Sequence, residues 1–405
     1  MQDILGLAAL LRRHLSGEDL GVLGQSLLDQ ATQNPEDAAA LLDASTIIQF
    51  RGDAHLALQL QAEALKLCRT YRIPAAKPVR TRVLAIMAPG AIMGNVPLEC
   101  LLEDSDIELL LYFASATTLN PSHIPEHDLL FVAIGESDAN RPILNAWRPL
   151  IAGWPRPVVN APGPLDPLSR DLVYQGLRSL PGLSVPPTDR VARAALENGP
   201  PATLAFPLIL RPTDSHAGQD MVKLDSPEDL TQALTQMPGD AFFVSPFIDY
   251  RSPDGRYRKY RLVFIQGRPF ACHMAVSDTW MIHYLNAGMA ESAEKRAEEA
   301  AFMANFNQGF ATRHSQALAA IQQAVGLDYF GIDCAESADG RLLVFEVDAA
   351  MVVHAMDPFD IFPYKQPAMA DIFAAFRVML LEAAERKPPS LTPTTQRATQ
   401  NGGPG

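Results

Sequence analysis

The sequence predicts a chain of two classes, α/β through its middle and α+β beyond, behind a helical N-terminal segment. Three observations predict it. Apolar residues recur with helical periodicity from residue 1 to about 75. Short apolar strands then alternate with helical stretches from about 80 to 160, the pattern of an open, mostly parallel sheet. After about 205 the apolar runs follow one another in antiparallel style, with turn residues between them. At 405 residues and 48% hydrophobic content the chain can build two or three packed domains.

The formal charge of −13 argues against a general binder of nucleic acid or anionic membrane, so any anionic ligand must meet a local basic patch. Cys68, Cys100, Cys272 and Cys334 lack CxxC spacing, which suggests neither a zinc site nor a disulfide framework. No apolar run reaches the roughly 18 residues of a membrane span, and the acid-bearing N-terminus does not read as a secretory leader. The expectation is a cytoplasmic protein with no nucleic-acid or membrane partner, for which a homo-oligomer is an allowed state.

In the first segment, "LLDASTIIQFRGDAHLALQLQAEALKL" places Gly52, Ala57 and Ala64 where small residues let two antiparallel helices approach. That pattern resembles one tetratricopeptide hairpin, with Gln61 where an aromatic is usual; a plain packing module and a peptide-binding one both fit. Strands are expected at 82–87, 106–113, 128–135 and 156–160, with a helix in "DANRPILNAWRPLIAG". The loop "APGAIMGN" after the first of them lacks GxGxxG spacing, which argues against a dinucleotide site, yet it ends a parallel strand where ligands commonly bind. Residues 161 to about 200 are proline-rich and read as helices between turns. Beyond them come "FPLILRP", "MVKLD", "AFFVSPFID" and "YRKYRLVFIQGRPFACHMAV" as strands, Ser226 as a helix cap, and "ESAEKRAEEAAFMANF" as a helix. The tail 387–405 has almost nothing to bury and is expected to be disordered.

Three stretches carry chemistry. In "DCAESADGRLLVFEVD", a two-residue turn at Asp339 and Gly340 would set Asp333 opposite Glu346, with Asp348 on the face of Glu346. Like charges so placed repel, and nothing basic in the stretch offsets them, so neutralising Glu346 would relieve the hairpin. In "RSPDGRYRKYRLVFIQGR", alternation puts Lys259 and Arg261 on one face at the edge of an apolar core, where an arginine suits phosphate or carboxylate. In "LILRPTDSHAGQDMVKL", the loop with Ser215, His216, Gly218 and Gln219 could lay N–H groups over phosphates or be an ordinary long hairpin; Arg211 ends the strand before it.

In order and spacing, "NAPGPLDPLSRD", "FPLILRPTDSHAGQDM", "FFVSPFID", "KYRLVFIQGRP" and "FGIDCAE...LLVFEVD" resemble the ATP-grasp superfamily over roughly residues 80 to 385, particularly its glutathione-synthetase-like and ribosomal-protein-glutamate-ligase-like members. After the helical segment, bounded at 1–76, the resemblance implies a glutathione-synthetase-like preceding α/β domain at 80–186 and a two-lobed α+β ATP-grasp domain at 187–386. It implies an ATP-dependent carboxylate–amine ligase working through an acyl phosphate on small-molecule or peptide substrates. A kinase with a hydroxyl acceptor and a helical adaptor with a vestigial ATP fold are the other readings. It further implies ATP and two Mg²⁺ ions, with Asp333, Glu346 and Asp348 as metal ligands and Arg211 and Arg261 as catalytic cations. Ser215, His216, Gly218, Gln219 and Arg211 would meet phosphates, the backbone groups of Val244 to Phe247 adenine, and Asp249 ribose. His273, His283, Tyr284 and Asn286 would lie near the acceptor. Three departures stand out: Arg211 replaces a usual lysine, Lys259 a usual acid, and Asp348 a more usual asparagine.

Overall fold

The computed structural model describes residues 1–119, 124–164, 166–213 and 220–386, so the loop residues Ser215, His216, Gly218 and Gln219 and the tail 387–405 lie outside the described residues. Helices Gly6–Leu15, Gly21–Gln33, Ala38–Phe50 and Ala54–Leu67 open the chain. The last two begin at Asp37 and Asp53, whose carboxylates accept the N–H groups of Ala40 and Leu56 and satisfy donors that the helix leaves open. Ala57 and Ala64 are fully buried, as close-packed helices require. Gly52 differs from expectation: it sits exposed in the turn between the helices at φ +88, a conformation glycine adopts without strain.

The span read as helical also hides two strands, β1 (Gln2–Asp3) and β2 (Thr70–Ile73), each too short for its alternation to stand out against helical periodicity. They extend a six-stranded sheet containing β3 (Thr81–Met87), β4 (Ile107–Phe113), β5 (Leu129–Val132) and β6 (Val158–Val159), in the order β1-β2-β4-β3-β5-β6. The β2–β4 pair is antiparallel and the other pairs are parallel. β4 is buried along its whole length, as a central strand covered on both faces should be.

Where the first helix meets this sheet, Asp43 accepts from the N–H groups of Leu5 and Gly6 at 2.8 and 3.0 Å, and Glu99 from Ala8 at 3.0 Å. Gly6 is obligatory here: its φ is +81, and an added Cβ would fall 2.5 Å from Glu99 Oε2. Burial, aided by the neighbouring Asp43, pushes the Glu99 carboxyl up to about 8 in spite of the N–H donors. The folded chain therefore keeps a proton that the unfolded chain releases near pH 4.5. Stability from this group is full below pH 4.5 and is lost as pH rises through 8. Glu99→Gln should thus gain melting temperature relative to wild type between pH 5 and 8.5; a constant difference across that range would refute the account.

The second half builds an antiparallel four-stranded sheet and a five-stranded sheet that is antiparallel except for its edge pair, in which the short edge strand runs parallel to its neighbour. β7 (Leu183–Ser184) is the edge of one, and β8 (Asp189–Ala192), β9 (Leu208–Pro212), β10 (Val222–Leu224) and β11 (Ala241–Pro246) form the other in the order β10-β9-β11-β8. β7 and β8 fall in the proline-rich span read as helices and turns; both are short edge strands that define themselves only by pairing. The helix Pro227–Gln236 packs on the four-stranded sheet, opened by the expected box in which Ser226 and Asp229 exchange side-chain and backbone hydrogen bonds. The larger sheet holds β12 (Tyr257–Ile265), β13 (Arg268–Ser277), β14 (Tyr329–Glu336) and β15 (Leu342–Asp348), ordered β13-β12-β14-β15-β7. Its β12–β13 turn uses Gln266 and Gly267 at φ +47 and +80, values that suit the twist of a tight hairpin.

The C-terminal helix Lys365–Ala384 locks the two halves together. Phe376 is fully buried between Phe131 of β5 and Tyr329 of β14, with ring centroids 5.9 and 5.2 Å away. Arg377 meets Asp106 at 2.5 Å, and Asn160, just after β6, exchanges hydrogen bonds with the backbone of Tyr329 at 2.7 and 2.8 Å. Among the described residues no helix is long and apolar enough to cross a membrane.

Candidate active site

A cavity of about 270 Å³ lies between the four-stranded sheet and the larger one. Its walls are apolar: Ile209 of β9, Phe243 of β11, Phe247 and Trp280 line it. Its floor is charged. β12 contributes Lys259 and Arg261, β9 Arg211, and the N-terminus of the helix Arg170–Leu177 contributes Arg170; β14 and β15 contribute Asp333, Glu346 and Asp348.

These charges are matched across strands. Lys259 Nζ lies 2.8 Å from Asp333 Oδ2, while Arg261 donates Nε to Oδ1 at 2.8 Å and Nη2 to Oδ2 at 3.0 Å. Burial would raise the Asp333 carboxyl, but Arg261 and Lys259 hold it well below the usual range. Glu346 accepts from Arg170 at 2.5 Å; against its burial, Arg170 and Arg211 hold it ionised. Asp348 accepts the Ala350 N–H at 2.7 Å, and burial beside Glu346 pushes it up to about 6. Arg211 is brought down to about 10 by burial, with Arg170 adding to the effect. Nothing basic within the hairpin offsets these acids, but four cations from three other elements meet the three carboxylates, so the expected relief on neutralising Glu346 is corrected: it would strand Arg170.

Asp333 does stand opposite Glu346, by a different route from the one expected. The hairpin closes on Ser337 and Arg341, leaving a three-residue loop in which Gly340 takes φ +79. That shift is restored by a bulge at Phe345, since Cys334 pairs with Val344 and Asp333 with Glu346. The extra residue also reverses the alternation of side chains. Leu342, Val344 and Val347 join the large core, so Glu346 and Asp348 do not share a face with Leu342 and Val344 as unbroken alternation requires.

Of the residues singled out from sequence, Arg211, Phe247, Arg261, His283, Asn286, Asp333, Glu346 and Asp348 line the cleft. Val244 does not: it pairs with β8 and β9 on either side and its side chain fills the small-lobe core, leaving its neighbours Phe243 and Ser245 to face the cavity. Asp249 is exposed, bound by Arg251, and does not line the cleft. Tyr284 turns away to donate to Glu299 at 2.8 Å, in a network with Tyr364 and with Lys365, whose Nζ lies 3.9 Å from the Tyr284 ring centre. His273 pairs across from Arg261 but packs beside Tyr284, 4.6 Å away; burial, with Arg261 and Lys365 nearby, keeps it neutral.

Sequence reasoning missed Arg170, and took Lys259 for a departure rather than a site residue. Arg170 stands two residues before Leu172 at a helix start, a position with no periodic signal of its own. Met93 and Met351 also reach the cleft. Met351 fits because Gly331 lies beneath it; a Cβ there would meet its sulfur at 2.4 Å. Met93 sits on the loop after β3, which the N-terminal helices hold in place. Gln61 exchanges two hydrogen bonds with Gly90, at 2.7 and 3.1 Å, and Gln49 accepts from Ile92 at 3.0 Å. Those contacts explain why residue 61 is an amide and not an aromatic.

Among the described residues no group of three or more ligating side chains converges, so Asp333, Glu346 and Asp348 do not form a single three-carboxylate centre. Both Asp333 oxygens are already taken by cations. Glu346 and Asp348 alone have the hard oxygens and the mutual repulsion that a divalent ion relieves.

No protein-family model and no curated protein matches the chain. Solved structures align with it loosely. A RimK domain ATP-grasp protein from Sphaerobacter thermophilus DSM 20745 is 16% identical and aligns over 73% of this chain and 99% of its own, with TM-score 0.42. D-alanine–D-alanine ligase from Bacillus anthracis complexed with ATP is 13% identical over 74% and 99%, with TM-score 0.42. The ATP-grasp ligase PsnB complexed with minimal precursor, Mg and ADP is 13% identical over 74% and 99%, with TM-score 0.40. Likeness at this level assigns no residue a role.

Proposed function

We propose that this chain is an ATP-grasp ligase that binds ATP with Mg²⁺ in the cleft and joins a carboxylate to an amine through an acyl phosphate. The observation that carries the reading is one cleft that combines a cluster of cations with apolar walls: Arg170, Arg211, Lys259 and Arg261 line it together with Phe243, Phe247 and Ile209. An adenine ring fits such walls, and a triphosphate such a cluster. Glu346 and Asp348 would hold Mg²⁺, which when bound neutralises charge on the phosphate oxygens.

A substrate carboxylate oxygen would attack the γ-phosphorus, with ADP leaving. Arg211 and Arg170 would stabilise the transferring phosphoryl group, and the N–H groups of Arg261 not bound to Asp333 would meet the acyl phosphate. The amine nitrogen would then attack the acyl carbon, phosphate would leave, and the amine would lose a proton. His283 and Asn286 line the same cleft and are assigned to the acceptor. The substrates are taken to be small-molecule or peptide carboxylates and amines, and the setting cytoplasmic.

Hydroxylamine tests the reading directly. With ATP, Mg²⁺ and a panel of amino acids and dipeptides, the protein should form hydroxamates together with stoichiometric ADP. ADP release with a phosphate ester and no hydroxamate would make the protein a kinase; neither product with any panel member, under conditions where ATP binds, would reject ligase chemistry on these substrates.

A further inference from the structure

We infer that Lys259 supplies a fixed ammonium group at Asp333 in place of a divalent ion, so that one metal ion and not two accompanies a bound nucleotide; this rests on the nucleotide reading above. The floor of the cleft is unevenly charged. At one end Asp333, 3% exposed, gives Oδ2 to Lys259 at 2.8 Å and Arg261 at 3.0 Å, and Oδ1 to Arg261 at 2.8 Å. At the other, Glu346 has Arg170 at 2.5 Å, and among the described residues Asp348 accepts only a backbone N–H, that of Ala350 at 2.7 Å.

The backbone holds Lys259 and Arg261 where they are. Both sit on the same face of β12, in register with β14, so that Arg261 is directly opposite Asp333. A dication seated between Asp333 and Glu346 would have to displace one of these cations from its carboxylate and then lie beside it. Like charges at that separation repel. An ion between Glu346 and Asp348 meets a single cation, Arg170 at Glu346, while among the described residues no cation is hydrogen-bonded to Asp348, and Mg²⁺ commonly binds through one or two carboxylates with phosphate oxygens completing its shell. The ammonium group does at Asp333 what an ion would do there: it balances the carboxylate and adds positive charge to the floor without having to be bound from solution.

Counting Mn²⁺ tests this. The full chain with saturating ADP is titrated with Mn²⁺, free Mn²⁺ being read by electron paramagnetic resonance and ADP binding by calorimetry. Wild type should bind one Mn²⁺ per ADP, and Lys259→Met, which frees one side of Asp333, should bind two. Glu346→Gln should lose the single wild-type ion. Two ions per ADP in wild type, an unchanged ratio of one in Lys259→Met, or an ion retained by Glu346→Gln would each overturn the inference while leaving the nucleotide reading intact. Failure of ADP to bind with or without Mn²⁺ would reject the nucleotide reading, and this inference with it.

Discussion

Replacing Asp333 by alanine should cost the fold about 3 kcal/mol, the lower end of the range for breaking a buried ion pair. The carboxylate is 3% exposed and serves two cations, so its removal leaves Lys259 and Arg261 facing each other with no counter-charge. The low end applies because the side chains of Lys259 and Arg261 keep 18% and 24% of their exposure, and part of the charge can be met by water. Urea denaturation should show the loss as a fall in midpoint with an unchanged slope. Asp333→Asn, which keeps the shape and one acceptor oxygen, should lose less. A cost below about 1 kcal/mol for Asp333→Ala would mean that the cations relax into solvent and that the triad adds little.

Arg261→Lys should slow hydroxamate formation by roughly 30- to 150-fold, the equivalent of about 2 to 3 kcal/mol of one charge-assisted contact in the transition state. Charge is conserved in this substitution and geometry is not. Arg261 spans both oxygens of Asp333 with Nε and Nη2, and its remaining N–H groups extend from a guanidinium plane held by that grip. A lysine ammonium can reach one oxygen and would share it with Lys259. ADP binding should weaken less than turnover. Arg258→Lys is the control: Arg258 is engaged with Asp254 and Glu298 and does not line the cleft, so its replacement should leave turnover near wild type. The reverse outcome, a crippled Arg258→Lys and a normal Arg261→Lys, would place the wrong face of β12 at the chemistry.

Much of the site was legible in the chain because strand alternation is a local property. Arg261 and Lys259 on one face, Arg211 at the end of its strand, and the acids on a hairpin all follow from counting by twos. The same count, applied to "AFFVSPFID", separates Phe243, Ser245 and Phe247, which line the cleft, from Val244, whose side chain packs in the core. Alternation fails where a residue is inserted. The bulge at Phe345 has no sequence mark of its own, and it is offset by a hairpin loop one residue longer than the shortest; the opposition of Asp333 and Glu346 survives because the two departures cancel.

The sequence by itself determined the class of each half, the order of most strands, the capped helix at Ser226 and the acidic hairpin, since periodicity, caps and turn residues act within a few positions. Only the tertiary structure decided which charges meet. Asp333 finds its partners 72 and 74 residues away and Glu346 finds Arg170 176 residues away, so no window of sequence contains both sides of either pair. It also decided that β1 and β2 join the first sheet and that the N-terminal helices brace the loop of Met93. The physical reason is the same in each case: a short strand or a buried ion gains its free energy from a distant partner, and is silent in sequence until the chain has closed on it.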